Sequence, residues 1–196
     1  MMLLLAVAIA YLLGAIPFGY LLVRLKTGED VRASGSGNIG ATNVLRTTGR
    51  AAGIATLLLD IAKGYLAVWI AGRLTEHSTV AMSLAAVAAM LGHAYPVFLR
   101  FQGGKAVASF VGAFLFLTPM ALAAVLVVFV ATVAWSRHIS MGSIVAAASF
   151  PLAVWLIERG PVSAFLAGLF AAALIIYKHR NNIQRLREGT EHVFKL

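Results

Sequence analysis

The sequence contains no cysteine, which excludes disulfide bonds, thiolate metal sites and cysteine-based catalysis. It is also poor in charge, because Asp, Glu, Lys and Arg make up only 12% of its 196 residues. In an ordinary soluble domain these residues make up about a quarter. Hydrophobic residues account for 61% of the chain, and the mean hydropathy is +0.90. This balance excludes a water-soluble domain, and it excludes a disordered chain, since disorder needs low hydrophobicity.

Acidic residues are especially scarce, with seven Asp and Glu scattered along the chain. Without paired carboxylates a Mg²⁺ site is not expected, so we predict no metal and no cofactor. The 16 Lys and Arg residues give a net charge of +9, which points to an anionic partner. Because this charge lies between apolar runs, with no basic platform interleaved with aromatic residues, the pattern favours a membrane and argues against nucleic acid.

Apolar runs predict seven membrane helices, since a span needs about 20 mostly apolar residues. Residues 106–135 would reach about 45 Å as one helix, too long for a core of about 30 Å and too short for two full spans. A break at Thr118-Pro119 resolves this and leaves a short fourth helix. No basic stretch precedes the first run, so no secretory signal is expected. The predicted helices are 3–23, 53–72, 80–101, 107–117, 120–135, 139–157 and 162–177.

The distribution of basic residues favours seven spans over six. Seven spans place 13 Lys and Arg on one side and only Arg73 and Arg159 on the other, whereas six spans divide them 8 to 7. Cytoplasmic loops carry the excess of Lys and Arg. The sequence therefore predicts an all-α, polytopic membrane protein with seven transmembrane helices, its N-terminus outside and its C-terminus cytoplasmic. No linker interrupts it, so residues 1–196 are predicted to form a single domain.

The first polar segment of interest, residues 33–46, has a composition suited to phosphate. Its glycines allow the backbone to approach an anion, and its short polar groups and one arginine offer donors. The G-x-G-x-x-G pattern here is not a dinucleotide fingerprint, because no βαβ unit surrounds it. A flexible membrane loop whose arginine touches lipid phosphates remains an alternative. The candidate ligands are Ser36, Asn38, Thr42, Asn43 and Arg46.

The second segment, residues 92–109, contains Gly103-Gly104-Lys105, which does not fit a Walker A sequence. We expect a glycine turn that leads into a helix at Lys105, whose N-terminal N–H groups favour an anion. The alternative is a tight turn with the lysine anchored at the headgroups. His93, close to Pro96, is expected to be a hydrogen-bonded structural histidine.

The third segment, residues 178–191, carries His179 and Asn182, which share a face if the seventh helix continues. His179 can titrate near neutral pH, and the arginines of this segment are expected to bind anionic lipid. Asp60 and Lys63 lie within the second span, where their i,i+3 spacing predicts a structural ion pair.

These residues alone permit a transferase that acts on a phosphorylated substrate, a carrier for an organic anion, or a lipid-binding scaffold. Four motifs, read together, resemble the bacterial acyl-phosphate:glycerol-3-phosphate acyltransferases of the inner membrane. The departures are Ala106, where a third glycine is usual, and Ser109, where threonine is usual. The motifs run from Ser36-Gly-Asn-Ile-Gly-Ala-Thr-Asn43 with Arg46, through Asp60-x-x-Lys63-Gly64 and Gly92-His93-x-x-Pro96 with Gly103-Gly104-Lys105, to the stretch from His179 and Asn182 to Glu191.

The resemblance implies a multi-pass protein of the bacterial inner membrane with seven helices and an active site facing the cytoplasm. Its reaction moves a fatty acyl group from acyl phosphate to the 1-hydroxyl of sn-glycerol 3-phosphate, giving lysophosphatidic acid and phosphate. This is the first acylation step of phospholipid biosynthesis, and it uses neither acyl-CoA nor acyl carrier protein. The implied partners are the two substrates, the lipid bilayer and the soluble enzyme that makes acyl phosphate.

The resemblance also assigns roles to individual residues. Ser36, Arg46 and Lys105 are implied to hold phosphate, next to Gly103 and Gly104, while His179 and Asn182 complete the catalytic set. Thr42, Asn38 and Asn43 are second choices that shape the loop, and Glu191 is a structural partner of an arginine. No Ser-His-Asp triad is evident. His179 is the best candidate base, although a substrate phosphate oxygen can also take the proton.

The charge distribution makes the topology testable. Single cysteines replacing Ala33 and Thr190 in this cysteine-free chain should resist an impermeant thiol reagent applied to intact cells, because both positions lie on the basic side. Labelling of either cysteine from outside would contradict seven spans.

Overall fold

The computed structural model describes residues 1–194, and this part of the chain contains helices and no β-strand. The predicted all-α class is therefore confirmed. The α-helices are α1 (Met2–Ala15), α2 (Phe18–Thr27), α3 (Ala41–Thr48), α4 (Arg50–Leu74), α5 (Thr79–Ala94), α6 (Val107–Leu117), α7 (Pro119–Ser136), α8 (Ile139–Ala153), α9 (Val162–Lys178) and α10 (Arg180–Arg187).

Several helices are long and apolar enough to cross a bilayer. Five candidates meet this condition within the described residues, and α9 with α10 forms a sixth if the pair, bent by 56°, is counted as one. α6 has 11 residues, so at about 1.5 Å per residue it covers roughly half of the bilayer core. The seventh span and the orientation of the termini stay predictions. The five are Met2–Thr27, Arg50–Leu74, Thr79–Leu99, Pro119–Ser136 and Ile139–Glu158.

By its internal contacts the chain divides into two compact units, the first from Met1 to Phe116 and the second from Leu117 onward. The prediction of a single domain stays a prediction. In the first unit, small residues let the helices approach closely, which is how helices pack in membranes. A Cβ added to Gly14 would overlap the backbone of Ala89, and one added to Gly112 would overlap the carbonyl of Ile61. These contacts join α1 to α5 and α6 to α4.

The first predicted span is a broken helix. Residues 3–23 read as one uninterrupted apolar run, but α1 ends at Ala15 and α2 begins at Phe18. Pro17 causes the break, because it has no N–H and its ring disfavours helical backbone before it. α2 continues four residues beyond the predicted end, to Thr27, where Gly28 adopts a left-handed φ of 75° and ends it.

Two helix boundaries in the second segment differ from the prediction. The helix predicted over 80–101 ends at Ala94, because Tyr95 precedes Pro96 and takes non-helical backbone, and a 3₁₀ turn follows at Val97–Leu99. The helix expected at Lys105 begins instead at Val107. Ala106 precedes it with a left-handed φ of 62°.

The second unit contains α7, α8, α9 and α10. α8 continues as a π-helical segment, Val154–Glu158, after Pro151 interrupts its hydrogen bonding. Glu158 then caps α7, since its Oε1 accepts hydrogen bonds from the N–H groups of Met120 (3.0 Å) and Ala121 (3.1 Å). The helix predicted over 162–177 ends at Lys178, and α10 begins at Arg180 after a bend.

Candidate functional site

The loop that carries Ser36 is held in shape by Asn43, the third residue of α3. The side chain of Asn43 is 3% exposed. Its Oδ1 accepts a hydrogen bond from the Ser36 N–H at 2.8 Å, and its Nδ2 donates to the carbonyls of Asn38 (2.8 Å) and Ser34 (3.1 Å). A buried amide with both of its ends bonded to backbone is suited to positioning a loop. Asn43 therefore shapes the loop that presents Ser36.

Asn38 also bonds to the loop itself. Its Oδ1 accepts from the Gly40 N–H at 2.8 Å, which forms an Asx turn just before α3. Gly35 adopts a φ of 60°, and a Cβ there would overlap Oδ1 of Asn43, so both its conformation and its packing require glycine. The structure thus gives Asn38 and Asn43 local partners within the loop.

The remaining candidates of this segment are more accessible. Ser36 and Arg46 are exposed, and Thr42 is half-buried. Thr42 and Arg46 are four residues apart on α3 and so lie on one face of that helix. The segment therefore presents a hydroxyl and a guanidinium beside a loop of fixed shape.

A second arginine of this loop, Arg32, is already paired. Its guanidinium bonds to Asp30 (Nη2 to Oδ2, 2.6 Å), and Asp30 Oδ1 also accepts from the Arg32 N–H at 2.9 Å. The hydrogen bond from the Arg32 side chain holds the pKa of the Asp30 carboxyl below its ordinary value. Because Asp30 neutralises Arg32, we infer that Arg46 is the better cation of this segment for an anionic ligand.

Gly103 and Gly104 pack directly against His93. The Gly104 N–H donates to the His93 carbonyl at 3.0 Å. A Cβ on Gly104 would overlap Nε2 of the His93 ring, and one on Gly103 would overlap the His93 carbonyl oxygen. The glycine pair is therefore required by its contact with His93, whether or not an anion binds there.

Lys105 follows this pair and is half-buried. It lies two residues before α6, so the first free N–H groups of that helix come after it in the chain. The left-handed φ of 62° at Ala106 explains why glycine suits this position, since an L-residue is strained there. The departure from the family pattern thus changes local strain and leaves the lysine in place.

Three buried residues of the first unit have the composition of a catalytic triad without its arrangement. His93 is 4% exposed, Asp60 2% and Ser109 0%. Ser109 Oγ lies 3.2 Å from His93 Nδ1, and Asp60 Oδ1 lies 3.7 Å from the same nitrogen. In a catalytic triad the carboxylate and the nucleophile hydrogen-bond to opposite nitrogens of the histidine ring, and the nucleophile must reach the substrate. Here both groups lie nearest to Nδ1, and Ser109 is fully buried. We therefore assign His93 a structural role, as the sequence predicts.

Asp60 and Lys63 form the ion pair that their spacing predicts. Lys63 Nζ lies 2.8 Å from Asp60 Oδ1, and both side chains are buried in α4. Lys63 Nζ also donates to the carbonyl of Ile16 at 2.8 Å, at the break between α1 and α2. This second contact, and the approach of Asp60 to His93, are not visible in the sequence.

In the second unit, His179 lies at the bend between α9 and α10 and is 3% exposed. Its Nδ1 is 2.7 Å from the carbonyl oxygen of Ile175. Because a carbonyl only accepts, the proton of the neutral ring belongs on Nδ1, and the lone pair is on Nε2. The bend replaces the continuous helix on which the shared face of His179 and Asn182 was predicted.

Asn182 and the C-terminal segment are joined by Glu191. Glu191 Oε1 accepts from Asn182 Nδ2 (2.7 Å) and Ser140 Oγ (2.9 Å), and its Oε2 accepts from Arg185 Nε at 2.7 Å. The arginine partner expected for Glu191 is therefore Arg185. Ser140, in the first turn of α8, had no signal in the sequence beyond being a hydroxyl at a helix start.

Burial and hydrogen bonding act in opposite directions on Glu191. Burial alone would raise the pKa of its carboxyl, but hydrogen bonds from Asn182, Arg185 and Ser140 stabilise the ionised form and hold the pKa below its ordinary value. Glu191 is therefore a buried carboxylate that needs all its partners. Within residues 1–194, no group of three or more His, Asp or Glu side chains is placed to hold a metal ion.

Comparison with known proteins decides the family. The family model for glycerol-3-phosphate acyltransferase matches residues 4–189. This chain belongs to that family. A glycerol-3-phosphate acyltransferase of Geobacter sulfurreducens is 50% identical over 188 residues, which cover 96% of this chain and 95% of the relative. One from Desulfotalea psychrophila is 48% identical over 190 residues, covering 95% of each.

Solved structures of the family agree. The chain is similar to crystal structures of PlsY, an integral membrane glycerol 3-phosphate acyltransferase. Its glycerol 3-phosphate form is 39% identical, with a TM-score of 0.93 over 98% of this chain and 96% of that one. Its lysophosphatidic acid form is 37% identical, with a TM-score of 0.89 over 98% and 95%. This chain is thus an integral membrane member of the family.

The lowered pKa of Glu191 predicts a pH-dependent contribution to stability. A carboxylate with a depressed folded-state pKa stabilises the fold above its unfolded pKa of about 4.3, and this is lost as the pH falls through the folded-state pKa. Glu191→Gln should therefore lower the free energy of unfolding by about 1.5–3 kcal/mol above pH 5 and change it little at low pH. Thermal unfolding in detergent from pH 3 to 7 measures this, with the exposed Glu188→Gln as control. A difference that is the same at every pH would refute it.

Proposed function

We propose that this protein transfers a fatty acyl group from acyl phosphate to the 1-hydroxyl of sn-glycerol 3-phosphate, giving lysophosphatidic acid and phosphate. The observation that carries the acceptor is the match, over 98% of the chain, to an integral membrane acyltransferase in its glycerol 3-phosphate form. The donor rests on the motif resemblance and on two separate segments suited to phosphate, since both substrates carry one.

The phosphate ligands are Ser36, Arg46 and Lys105, with Thr42 as a further hydroxyl. Ser36 and Arg46 are exposed beside the loop that Asn43 holds, and Lys105 follows the glycine pair seated on His93. Leu99, from the turn before Lys105, packs in the same apolar cluster as Val31, Ile39 and Val44. This shared cluster supports one site built from both segments of the first unit.

The chemistry needs positioning and charge stabilisation more than a nucleophilic side chain. Acyl phosphate is a mixed anhydride, so the glycerol hydroxyl attacks the acyl carbon, the bond to the phosphate oxygen breaks, and the hydroxyl proton leaves to a base. Cationic side chains stabilise the phosphate as it departs. Ser109 is fully buried, and its hydroxyl and the Asp60 carboxylate approach the same nitrogen of His93, so Ser109 is not arranged as a nucleophile. These observations support direct transfer without an acyl-enzyme.

His179 and Asn182 act in the same reaction by motif match. Because His179 Nδ1 contacts the Ile175 carbonyl, Nε2 is the ring nitrogen that we assign to the reaction, where it accepts a proton or, in the charged form, donates to phosphate. Asn182 is oriented by Glu191, so Glu191 acts through it as a positioning residue. We favour an orienting role for His179, because the substrates bring phosphate oxygens that can take the proton.

The cellular setting belongs to the same proposal. The chain crosses the bacterial inner membrane seven times, with α6 as the short fourth helix, and the active site faces the cytoplasm. This placement is supported by the 13 to 2 division of basic residues. A soluble enzyme that makes acyl phosphate supplies the donor, and the product enters phospholipid biosynthesis.

An assay with two different acyl donors tests the proposed function. Purified protein given palmitoyl phosphate and radiolabelled glycerol 3-phosphate should form lysophosphatidic acid, and palmitoyl-CoA should not replace the donor. Product extraction and chromatography measure both reactions. Equal turnover with palmitoyl-CoA would overturn the donor, and no turnover with either would favour a carrier or a lipid-binding scaffold.

Lys105 should contribute by its charge. Lys105→Ala removes a charged contact to phosphate worth about 1.5–3 kcal/mol, so kcat/KM should fall about 10–200-fold. Lys105→Arg keeps the charge but replaces the ammonium with a wider, planar guanidinium, so it should retain part of the activity. The control is Lys26→Ala, which removes an exposed lysine that bonds to the Thr48 carbonyl. Equal effects at both lysines would refute a specific role for Lys105.

His179→Ala separates the two roles left open for the histidine. If His179 orients phosphate, the pH–rate profile should keep its shape while KM for glycerol 3-phosphate rises. A general base typically contributes about 10²–10⁴-fold, so its loss would lower kcat and remove the acidic limb. That second pattern, with KM unchanged, would overturn the orienting role.

A further inference from the structure

The ion pair in α4 links parts of the chain that are far apart in sequence. Lys63 Nζ lies 2.8 Å from Asp60 Oδ1 and donates to the carbonyl of Ile16 at 2.8 Å. Both charged side chains are at most 3% exposed. A buried ion pair is weak evidence for stability, because well-packed apolar residues of similar volume are often as stable. Its contacts outside α4 therefore indicate what it does.

The lysine end of the pair reaches the segment that carries Ser36. Ile16 precedes Pro17 at the break that redirects the chain from α1 into α2. A Cβ on Gly19, in the first turn of α2, would overlap the carbonyl oxygen of Ile39, so α2 packs directly on the Ser36 loop. Lys63 thus fixes the break from which this helix and loop extend.

The aspartate end reaches the segment that carries Lys105. Asp60 Oδ1 lies 3.7 Å from Nδ1 of His93, and the same nitrogen is 3.2 Å from Ser109 Oγ in α6. Gly104 donates to the His93 carbonyl and packs on its ring. His93 therefore contacts the chain on both sides of Lys105, at Gly104 and at Ser109.

We propose that Asp60 and Lys63 are positioning residues that fix the Ser36 and Lys105 segments relative to each other from inside the membrane-spanning helix α4. This inference rests on the proposed function, in which the two segments hold substrate phosphates. The pair sets the separation of the two phosphates and touches neither substrate. A misplacement of about 1 Å can cost roughly 100-fold in rate, so a small shift of either segment matters.

The main variant removes both charges together, because removing one alone leaves the other buried and unpaired. Asp60→Asn with Lys63→Met breaks the Ile16 contact and weakens the His93 contact. Thr56→Val is the matched control, since Thr56 is also fully buried in α4 but its hydroxyl donates to the Ala52 carbonyl of its own helix. Kinetic constants for both substrates and the unfolding temperature are measured for each protein.

A distance measurement gives a readout that does not depend on turnover. The chain has no native cysteine, so spin labels can be attached at exposed positions as Ala33→Cys and Gln102→Cys, one beside each segment. Wild type and Thr56→Val should give the same narrow distance distribution by electron paramagnetic resonance. The double variant should give a shifted or broader one, with kcat/KM lower by about 10–100-fold in folded protein.

Ser109→Ala is the second, milder variant, and it keeps the test decisive if the double variant does not fold. It removes only the hydroxyl that faces His93, so it should shift the Lys105 segment and leave the Ser36 segment in place. KM should then rise more for the substrate whose phosphate Lys105 holds. Ser143→Ala is its control, because Ser143 is buried but bonds only to the Ile139 carbonyl. KM values within about twofold of wild type, together with an unchanged distance distribution, in a folded variant would overturn the proposal.

Failure of the proposed function gives a different result. If wild-type protein makes no lysophosphatidic acid from palmitoyl phosphate, the function is wrong whatever the variants do. The spin-label distances then still decide whether Asp60 and Lys63 fix the two segments. A normal wild-type rate with unchanged variants would leave the function standing and overturn the positioning role.

Discussion

A helix end leaves backbone N–H and C=O groups without partners in the helix, and the rest of this structure depends on how they are satisfied. At three of the breaks a side chain supplies the partner. Lys63 donates to the Ile16 carbonyl after α1, the Tyr11 hydroxyl donates to the Tyr95 carbonyl after α5 at 2.9 Å, and Glu158 accepts from the first turn of α7. Broken helices are stable here because other helices complete them.

The residues assigned to phosphate binding are found near these breaks. The Ser36 loop follows the helix that starts after Pro17, the Gly103–Lys105 stretch follows the end of α5, and His179 lies between α9 and α10. The same interruptions that cost backbone hydrogen bonds therefore provide the polar segments to which we assign the substrate phosphates.

The lengths of the apolar runs and the position of one proline are enough to predict much of the helix layout. The short helix at 107–117 matches α6, and the break at Thr118-Pro119 separates it from α7 as predicted. The break at Ile16–Pro17 was missed because the hydropathy does not change across it, and α3 was missed because its sequence is polar and follows a glycine-rich stretch. Local composition does not contain the long-range contacts that stabilise such elements.

The candidate site, like the helix layout, could be predicted from the sequence only in part. Sequence spacing predicted the Asp60–Lys63 pair and the residue types for phosphate, but the contacts of His93 with Asp60, Ser109 and Gly104 come from three different helices and a turn. No single motif reports such a contact. The role of Asn43 is likewise not evident from the sequence, because it depends on four hydrogen bonds between its side chain and the backbone of the preceding loop.

Ala106 gives the Lys105 segment a further property. Its left-handed φ of 62° costs an L-residue roughly 1–2 kcal/mol, so the packing around this fully buried residue must hold it there. The peptide that joins Lys105 to α6 therefore has few orientations available before any ligand arrives. If Lys105 holds a substrate phosphate as proposed, a backbone already fixed on one side of it reduces the conformational entropy lost on binding.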